Sequence, residues 1–195
     1  MPQLIHICHI PDPILQEQCA EIPIQDISHE KIQKIITNMS QALIQSGDGV
    51  AIAAPQIGQA VRIFVVAGQT FDILNNYHGG HVSPDKVFIN PIIIKESKIK
   101  KLMRGEGCLS VRFVYGTTKR SERVTVKAYD ERGKEFTMEG KGLLAQIFQH
   151  EIDHLNGVLF IDHAKDIREM TTEEQEQYQF ELQKMHQDRA ARMSS

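Results

Sequence analysis

His150-Glu151-Ile152-Asp153-His154 is the stretch on which the rest of the chain turns. It lies in a segment, Gly142 to Leu155, whose apolar residues Leu143, Leu144, Ile147, Ile152 and Leu155 predict a helix that stops at Asn156-Gly157. Positions four apart share one helix face, so both imidazoles can reach a single metal ion. Glu151 falls about 100° further round, where it can touch a water on that ion without ligating it. A catalytic centre of this type takes a third protein ligand and keeps one position open. That third ligand has to come from elsewhere in the chain.

The chain has 195 residues, 41% apolar and 24% charged, which suits one soluble domain with a real core. A net charge of −3 with neutral histidines gives no broad attraction to nucleic acid. No run approaches the roughly 18 apolar residues of a membrane span. Met1 to Ile10 lacks Lys and Arg, so no signal peptide is expected there. Cys8, Cys19 and Cys108 are odd in number and lack paired spacing. They predict a reducing cytoplasm and a thiol free for other chemistry.

Outward from the centre, Arg123 to Tyr129 alternates and Lys134 to Met138 returns after the turn at Asp130-Glu131-Arg132-Gly133, predicting a hairpin. Lys98 to Arg104 reads as a strand with a solvated face, and Gly105-Glu106-Gly107-Cys108-Leu109-Ser110 follows it, with Cys108 placed to point into a cavity. Val87 to Ile94 is strand-like, and Asn90-Pro91 inside it suggests an edge or a bulge. Gly68 to Asp85 lacks periodicity and reads as a long exposed excursion containing His78 and His81. Val61 to Ala67, apolar apart from Arg62, reads as a short strand. Gly49-Val50-Ala51-Ile52-Ala53-Ala54-Pro55-Gln56 is rich in small residues that let backbone approach a ligand or another strand. Ser28 to Ser46 is the clearest helix: Ser28 as N-cap, Ile32, Ile35, Ile36, Met39 and Leu43 as its buried stripe. Asp12 and Pro13 predict a short capped helix, while Ile5, Ile7 and Ile10 look like a strand edge and make His6, Cys8 and His9 structural rather than ligating. Thr171 to Met193 reads as a terminal helix, mostly polar and net acidic, with Met170, Tyr178, Leu182 and Met185 as anchors.

Three candidates compete for the third ligand. A metzincin would need a histidine where Phe160 stands, and His163 comes three residues too late. A second protease pattern would use a glutamate further along, Glu173 or Glu174, in a stretch that looks solvated. Cys108 would give Cys-His-His with an open position, a soft and tight set. Pattern favours Cys108 without closing the other routes.

Three separated motifs together resemble the peptide deformylases: Gly49 to Gln56, Glu106-Gly107-Cys108-Leu109-Ser110, and Gln149-His150-Glu151-Ile152-Asp153-His154. Lesser similarities at Pro11-Asp12-Pro13, Asn90-Pro91, Asp130, Gly133 and Asp162 extend the resemblance over about residues 11 to 162. It implies an α+β fold, mixed or antiparallel strands packed around a central metal-binding helix, with a C-terminal helix. Residues 1–170 would be the catalytic domain and 171–195 a helical tail of it. The implied reaction is metal-dependent removal of the N-formyl group from the initiator methionine of new proteins, in the cytoplasm. Cys108, His150 and His154 would hold one divalent ion, Fe2+ in the cell, with Zn2+, Ni2+ or Co2+ possible in purified protein. Glu151 would act as base and then acid, and Gln56 with the Leu109 N–H would stabilise the oxyanion. Val50, Ala51, Gly107, Leu144, Ile147 and Phe148 would contact substrate, whose backbone would add as a strand beside the first motif. The implied partners are N-formylmethionyl nascent peptides. Ribosome docking, which some members achieve through basic residues of the terminal helix, is left open by the acidic helix here. The chain departs from the pattern at Ala51, usually glycine, and at Val111-Arg112-Phe113-Val114-Tyr115, where a proline and a glycine usually follow the serine. The cleft rim is expected to be shaped differently, with the machinery intact.

Overall fold

The structure, a computed structural model, describes residues 4–76 and 83–193. His78 and His81 of the expected excursion lie outside them.

Alternation along three strands builds the core. β1 (Ala51–Ala53), β2 (Ile63–Val66) and β3 (Lys86–Glu96) are successive antiparallel neighbours in a five-stranded sheet that β6 (Arg123–Tyr129) and β7 (Glu135–Lys141) complete, in the order β1-β2-β3-β6-β7. Side chains on a strand point alternately to its two faces. Ile52, Ile63, Val65, Val87 and Ile89 therefore meet α1 (Glu30–Ser46) through Ile32, Ile35, Ile36, Met39 and Leu43. Ala53, Phe64, Val66, Phe88, Val124 and Val126 meet α3 (Leu143–Leu155) on the opposite face. A strand covered on both sides must be apolar throughout, which explains the unbroken run from Ile63 to Ala67; Arg62 interrupts the longer run expected from Val61.

A second, three-stranded sheet joins β4 (Lys100–Cys108), β5 (Val111–Ser121) and β8 (Lys165–Glu169), with β5 in the middle. All named strand pairs are antiparallel. The α+β expectation thus holds. α4 (Thr172–Met193) closes the chain.

Three local expectations need correction, and a fourth is decided between its two alternatives. Ser28 does not cap α1; the N-cap is His29, with no side-chain capping bond. Residues 5–10 form no strand, and Ile5, Ile7 and Cys8 pack as irregular chain. Of the edge or bulge expected at Asn90-Pro91, the structure shows the irregularity and not the edge: β3 lies between β2 and β6, and the pair occupies a register break between Ile89 and Ile92. Asn90 uses that break to pair its side-chain amide with Ile22, accepting from the N–H at 2.9 Å and donating to the C=O at 2.7 Å. The excursion after Ala67 begins with α2 (Gly68–Leu74), where Thr70 and Asp72 are buried. Polar residues in its inward face hid the helix from a hydrophobic-periodicity reading. The Asp12 cap, by contrast, forms as expected, accepting from Ile14 N at 3.1 Å.

α3 is held from its C-terminal end. Arg62, at the head of β2 and 9% exposed, donates to Leu155 O at 3.2 Å, Asn156 Oδ1 at 2.9 Å and Pro91 O at 3.3 Å. A cation there suits the negative end of the helix and shares the Leu155 carbonyl with the Cys19 N–H. Gly157 then turns the chain at φ +73°, where a Cβ would come within 2.4 Å of Gln16 O.

Candidate metal centre and cleft

One turn of α3 separates His150 from His154, and their ring centroids lie 4.9 Å apart. Cys108 ends β4 at the tight return into β5, where Cys108 pairs with Val111. Its Sγ is 3.1 Å from His154 Nε2. The ligand atoms of Cys108, His150 and His154 all lie within 4.8 Å of one another, the one such group of three among the described residues.

The chemistry around these atoms fits a divalent ion. Glu106 accepts from His150 Nδ1 at 2.8 Å, so that nitrogen carries the proton and Nε2 keeps its lone pair for the centre. Burial opposes ionisation of Cys108, but His154 and His150 outweigh it and hold the thiol well below its ordinary range. A thiolate with two imidazole nitrogens suits zinc, iron, cobalt or nickel. Glu151 is 4% exposed, with Oε2 buried and unpartnered among the described residues. Burial pushes its carboxyl up to about 7 against the pull of the two histidines.

Gln56 reaches the centre from the short 3-10 turn Ala54–Ile57 after β1. Its Oε1 accepts from Ala53 N at 2.8 Å, which fixes the amide. Nε2 consequently faces Cys108 Sγ at 3.5 Å and Ser110 Oγ at 3.2 Å, as a donor. Leu109 follows Cys108 and lines the same cleft.

Beneath the centre is a charged network that pattern reading did not find. Glu106, 4% exposed, accepts from Thr118 Oγ1 at 2.6 Å, Gln146 Nε2 at 2.9 Å and Arg120 Nε at 3.2 Å, in addition to His150. Arg120, 5% exposed, also donates to Asp153 Oδ2 at 2.5 Å. Burial raises the Glu106 carboxyl, but His150 and Arg120 win and hold it far below the usual carboxylate range. Glu106 and Asp153 lie inside the quoted motifs, whereas nothing in the spacing of Arg120, in the middle strand of the small sheet, connects it to them.

A cleft of about 310 Å³ opens over the centre. Val50, Ala51, Gly107 and Ile147 line it. Leu144 and Phe148 do not: Phe148 is fully buried against Phe64 and Phe88, and Leu144 packs beside that cluster. Leu143 lines the wall in their place. Ala51 is only 6% exposed and belongs to the α3-side core while also bordering the cleft. Gly107 is required by close approach, since a Cβ there would lie 2.8 Å from the Tyr115 ring. The rim is built by Arg112, Phe113 and Tyr115 of β5 and by Tyr178 of α4.

The rival ligands stand elsewhere. Phe160 packs beside the His150 ring at 6.1 Å between centroids, His163 Nε2 lies 3.5 Å from Asp153, and Glu174 pairs with Arg168. None joins the cluster.

Comparison with known proteins agrees with this geometry. The profile of the Polypeptide deformylase family matches residues 4–170. A peptide deformylase of Dehalococcoides mccartyi is 36% identical over 159 residues, 82% of this chain and 85% of that one. A Met-Ala-Ser bound class I type b peptide deformylase from Acinetobacter baumannii superimposes with a TM-score of 0.71 at 29% identity, covering 84% of this chain and 99% of that one. A peptide deformylase from Legionella pneumophila superimposes with a TM-score of 0.69 at 34% identity, covering 96% and 98%. A thiolate and two helix-borne imidazoles gathered beside a buried glutamate, on a chain so matched along most of its length, belong to a member of the peptide deformylase family.

Proposed function

We propose that Cys108, His150 and His154 hold one divalent ion and that Glu151, Gln56 and the Leu109 N–H carry out the proton and charge work of deformylation. The reaction is that of the family: hydrolysis of the formyl amide on the initiator methionine, giving formate and a free amino terminus. The observation that carries the residue assignment is the convergence of the three ligand atoms within 4.8 Å.

When bound, the ion supplies Lewis acidity, polarising the formyl oxygen and making hydroxide available near neutrality. Glu151 takes the proton from the attacking water and returns it to the departing amine nitrogen. Gln56 Nε2, its direction fixed by Ala53, donates to the oxygen on which negative charge develops, and the Leu109 N–H donates from the hairpin side. Val50, Ala51, Gly107 and Ile147 receive the methionyl residue, and the peptide pairs along the open edge of β1. The Acinetobacter structure holds Met-Ala-Ser, and a short methionyl peptide of that kind is proposed for this cleft. Fe2+ is proposed as the native ion on the family resemblance, and metal analysis of anaerobically prepared protein tests it.

Residues 1–170 form the catalytic unit and α4 is its tail. No helix among the described residues is long and apolar enough to cross a membrane. The substrate's source places the reaction in the cytoplasm. Ribosome docking is left unassigned, the first turn of α4 being acidic through Glu173 and Glu174. The decisive experiment is formate release from a formyl-methionyl peptide: present in the wild type, absent in Glu151→Ala with metal content retained. Full turnover by that variant would refute the role given to Glu151.

A further inference from the structure

The rim at the far end of the cleft is tied together by an acid that the reaction does not use. Asp48 Oδ2 accepts from Arg112 Nη1 at 2.9 Å and from the Tyr178 hydroxyl. Asp48 Oδ1 is buried with no partner among the described residues. The Arg112 guanidinium lies 5.3 Å from the Phe113 ring centroid and 5.8 Å from that of Tyr178. The two rings meet edge-on at 6.2 Å. Tyr178 comes from α4, beyond residue 170, where the family match ends.

Phe113 sits at φ +62°. A bulky side chain in the left-handed region is strained and persists only where its surroundings enforce it. Here Met170 N donates to Phe113 O at 2.8 Å, and β8 pairs Glu169 with Val114. The chain therefore expends strain to hold an aromatic ring at the cleft, facing a second ring delivered by its tail.

The position of this wall relative to the centre decides what meets it. Gln56 follows β1 and touches Cys108, whereas Asp48 precedes β1 and touches Tyr178. A peptide with its formyl end at Cys108 and its backbone along β1 runs antiparallel toward Asp48. The three residues of β1 span about 10 Å at roughly 3.3 Å each. Strand alternation turns the second side chain of such a peptide away and returns the third to the side of the first. We infer that Tyr178 is a specificity-determining residue: with Phe113 it forms an aromatic wall that receives the third side chain of the formyl peptide and favours a large apolar or aromatic one. This rests on the deformylase reading and adds to it a subsite built by the C-terminal helix.

The test compares formyl-Met-Ala-Ala with formyl-Met-Ala-Phe on the metal-loaded full chain. The wild type is expected to favour the phenylalanine peptide about three- to tenfold in kcat/KM, mostly through KM. Tyr178→Ala should bring that ratio to within about twofold of unity, and Tyr178→Phe, which keeps the ring, should retain most of it. Phe113→Gly removes the other ring while accepting the same φ, and should also lower the ratio although it relieves strain. A purely structural role predicts no change of ratio in that variant. A wild-type ratio near one, or a ratio that survives in both Tyr178→Ala and Phe113→Gly, overturns the inference and leaves deformylation standing. Absence of formate from both peptides with the wild type would defeat the deformylase reading and this inference with it.

Discussion

Glu106→Gln changes the centre without touching a ligand. The carboxylate is 4% exposed and serves two customers: His150 Nδ1 at 2.8 Å above and Arg120 Nε at 3.2 Å below, with Thr118 and Gln146 completing it. An amide has only one acceptor oxygen, so either the His150 side or the Arg120 side meets an N–H where it needs a lone pair. The guanidinium, 5% exposed, then keeps only Asp153 as its charge partner. Breaking a buried pair by neutralising one member costs about 3–5 kcal/mol. The surviving partner Asp153, 28% exposed at its side chain, places the expected loss near the lower figure, about 3 kcal/mol. Losing the acceptor that orients a ligating imidazole should weaken metal binding about 10- to 100-fold. Urea unfolding of metal-loaded protein measures the first effect and chelator competition the second. Arg120→Met should cost a similar amount by stranding the carboxylate, and the double variant should lose less than the sum, by on the order of 2 kcal/mol. Additivity within about 0.5 kcal/mol, together with unchanged metal affinity in Glu106→Gln, would refute the coupling of charge network and centre.

Gln56→Ala should lower kcat about 10²- to 10³-fold with metal content preserved, measured by formate release against metal analysis. Cys108→Ser should abolish tight metal binding while Glu174→Gln spares it, and dialysed samples analysed for metal would show this. Arg62→Met removes the guanidinium donor from the Pro91 carbonyl and from Asn156 Oδ1, leaves the Leu155 carbonyl with the Cys19 N–H, and should cost about 1–3 kcal/mol in urea unfolding. Burial pushes the Cys19 thiol up to about 11, against an ordinary value near 9. The folded chain thus holds a proton that the unfolded chain releases, so the contribution is whole below pH ~9 and is lost as pH rises through ~11. Between those limits the wild type should lose on the order of 1–3 kcal/mol more stability than Cys19→Ala, read from unfolding curves at each pH.

How much of this was legible depended on how local each signal was. The α1 stripe and α3 announced themselves because their periodicity is local, and the three candidate ligands because two share a helix turn and the third directly follows Gly107. The strands Ile63–Val66 and Arg123–Tyr129 also follow from local pattern. What escaped was long-range. Arg120 supports the centre from a strand, across 33 residues from Asp153 and 14 from Glu106. α2 buries Thr70 and Asp72, which a search for apolar residues passes over. Phe148 occupies the same helix as the ligands, yet the sheet it packs against, and not its spacing, keeps it from the cleft. The Val111 to Tyr115 departure read as a change of rim shape, and only the folded chain shows that it meets Tyr178, 130 residues from Asp48.

β1 has one neighbour, β2, and its other side borders the cleft. Such a free row of backbone donors and acceptors, recessed and only three residues long, is too short and too sunken for the sheet of another molecule to dock against. It admits a single extended thread entering by its tip. A polypeptide whose first residues have already curled into a helix or been tucked into a domain offers no such thread. With the peptide bound along β1 as proposed, access follows timing: the formyl group is removed while the beginning of the new protein is still loose.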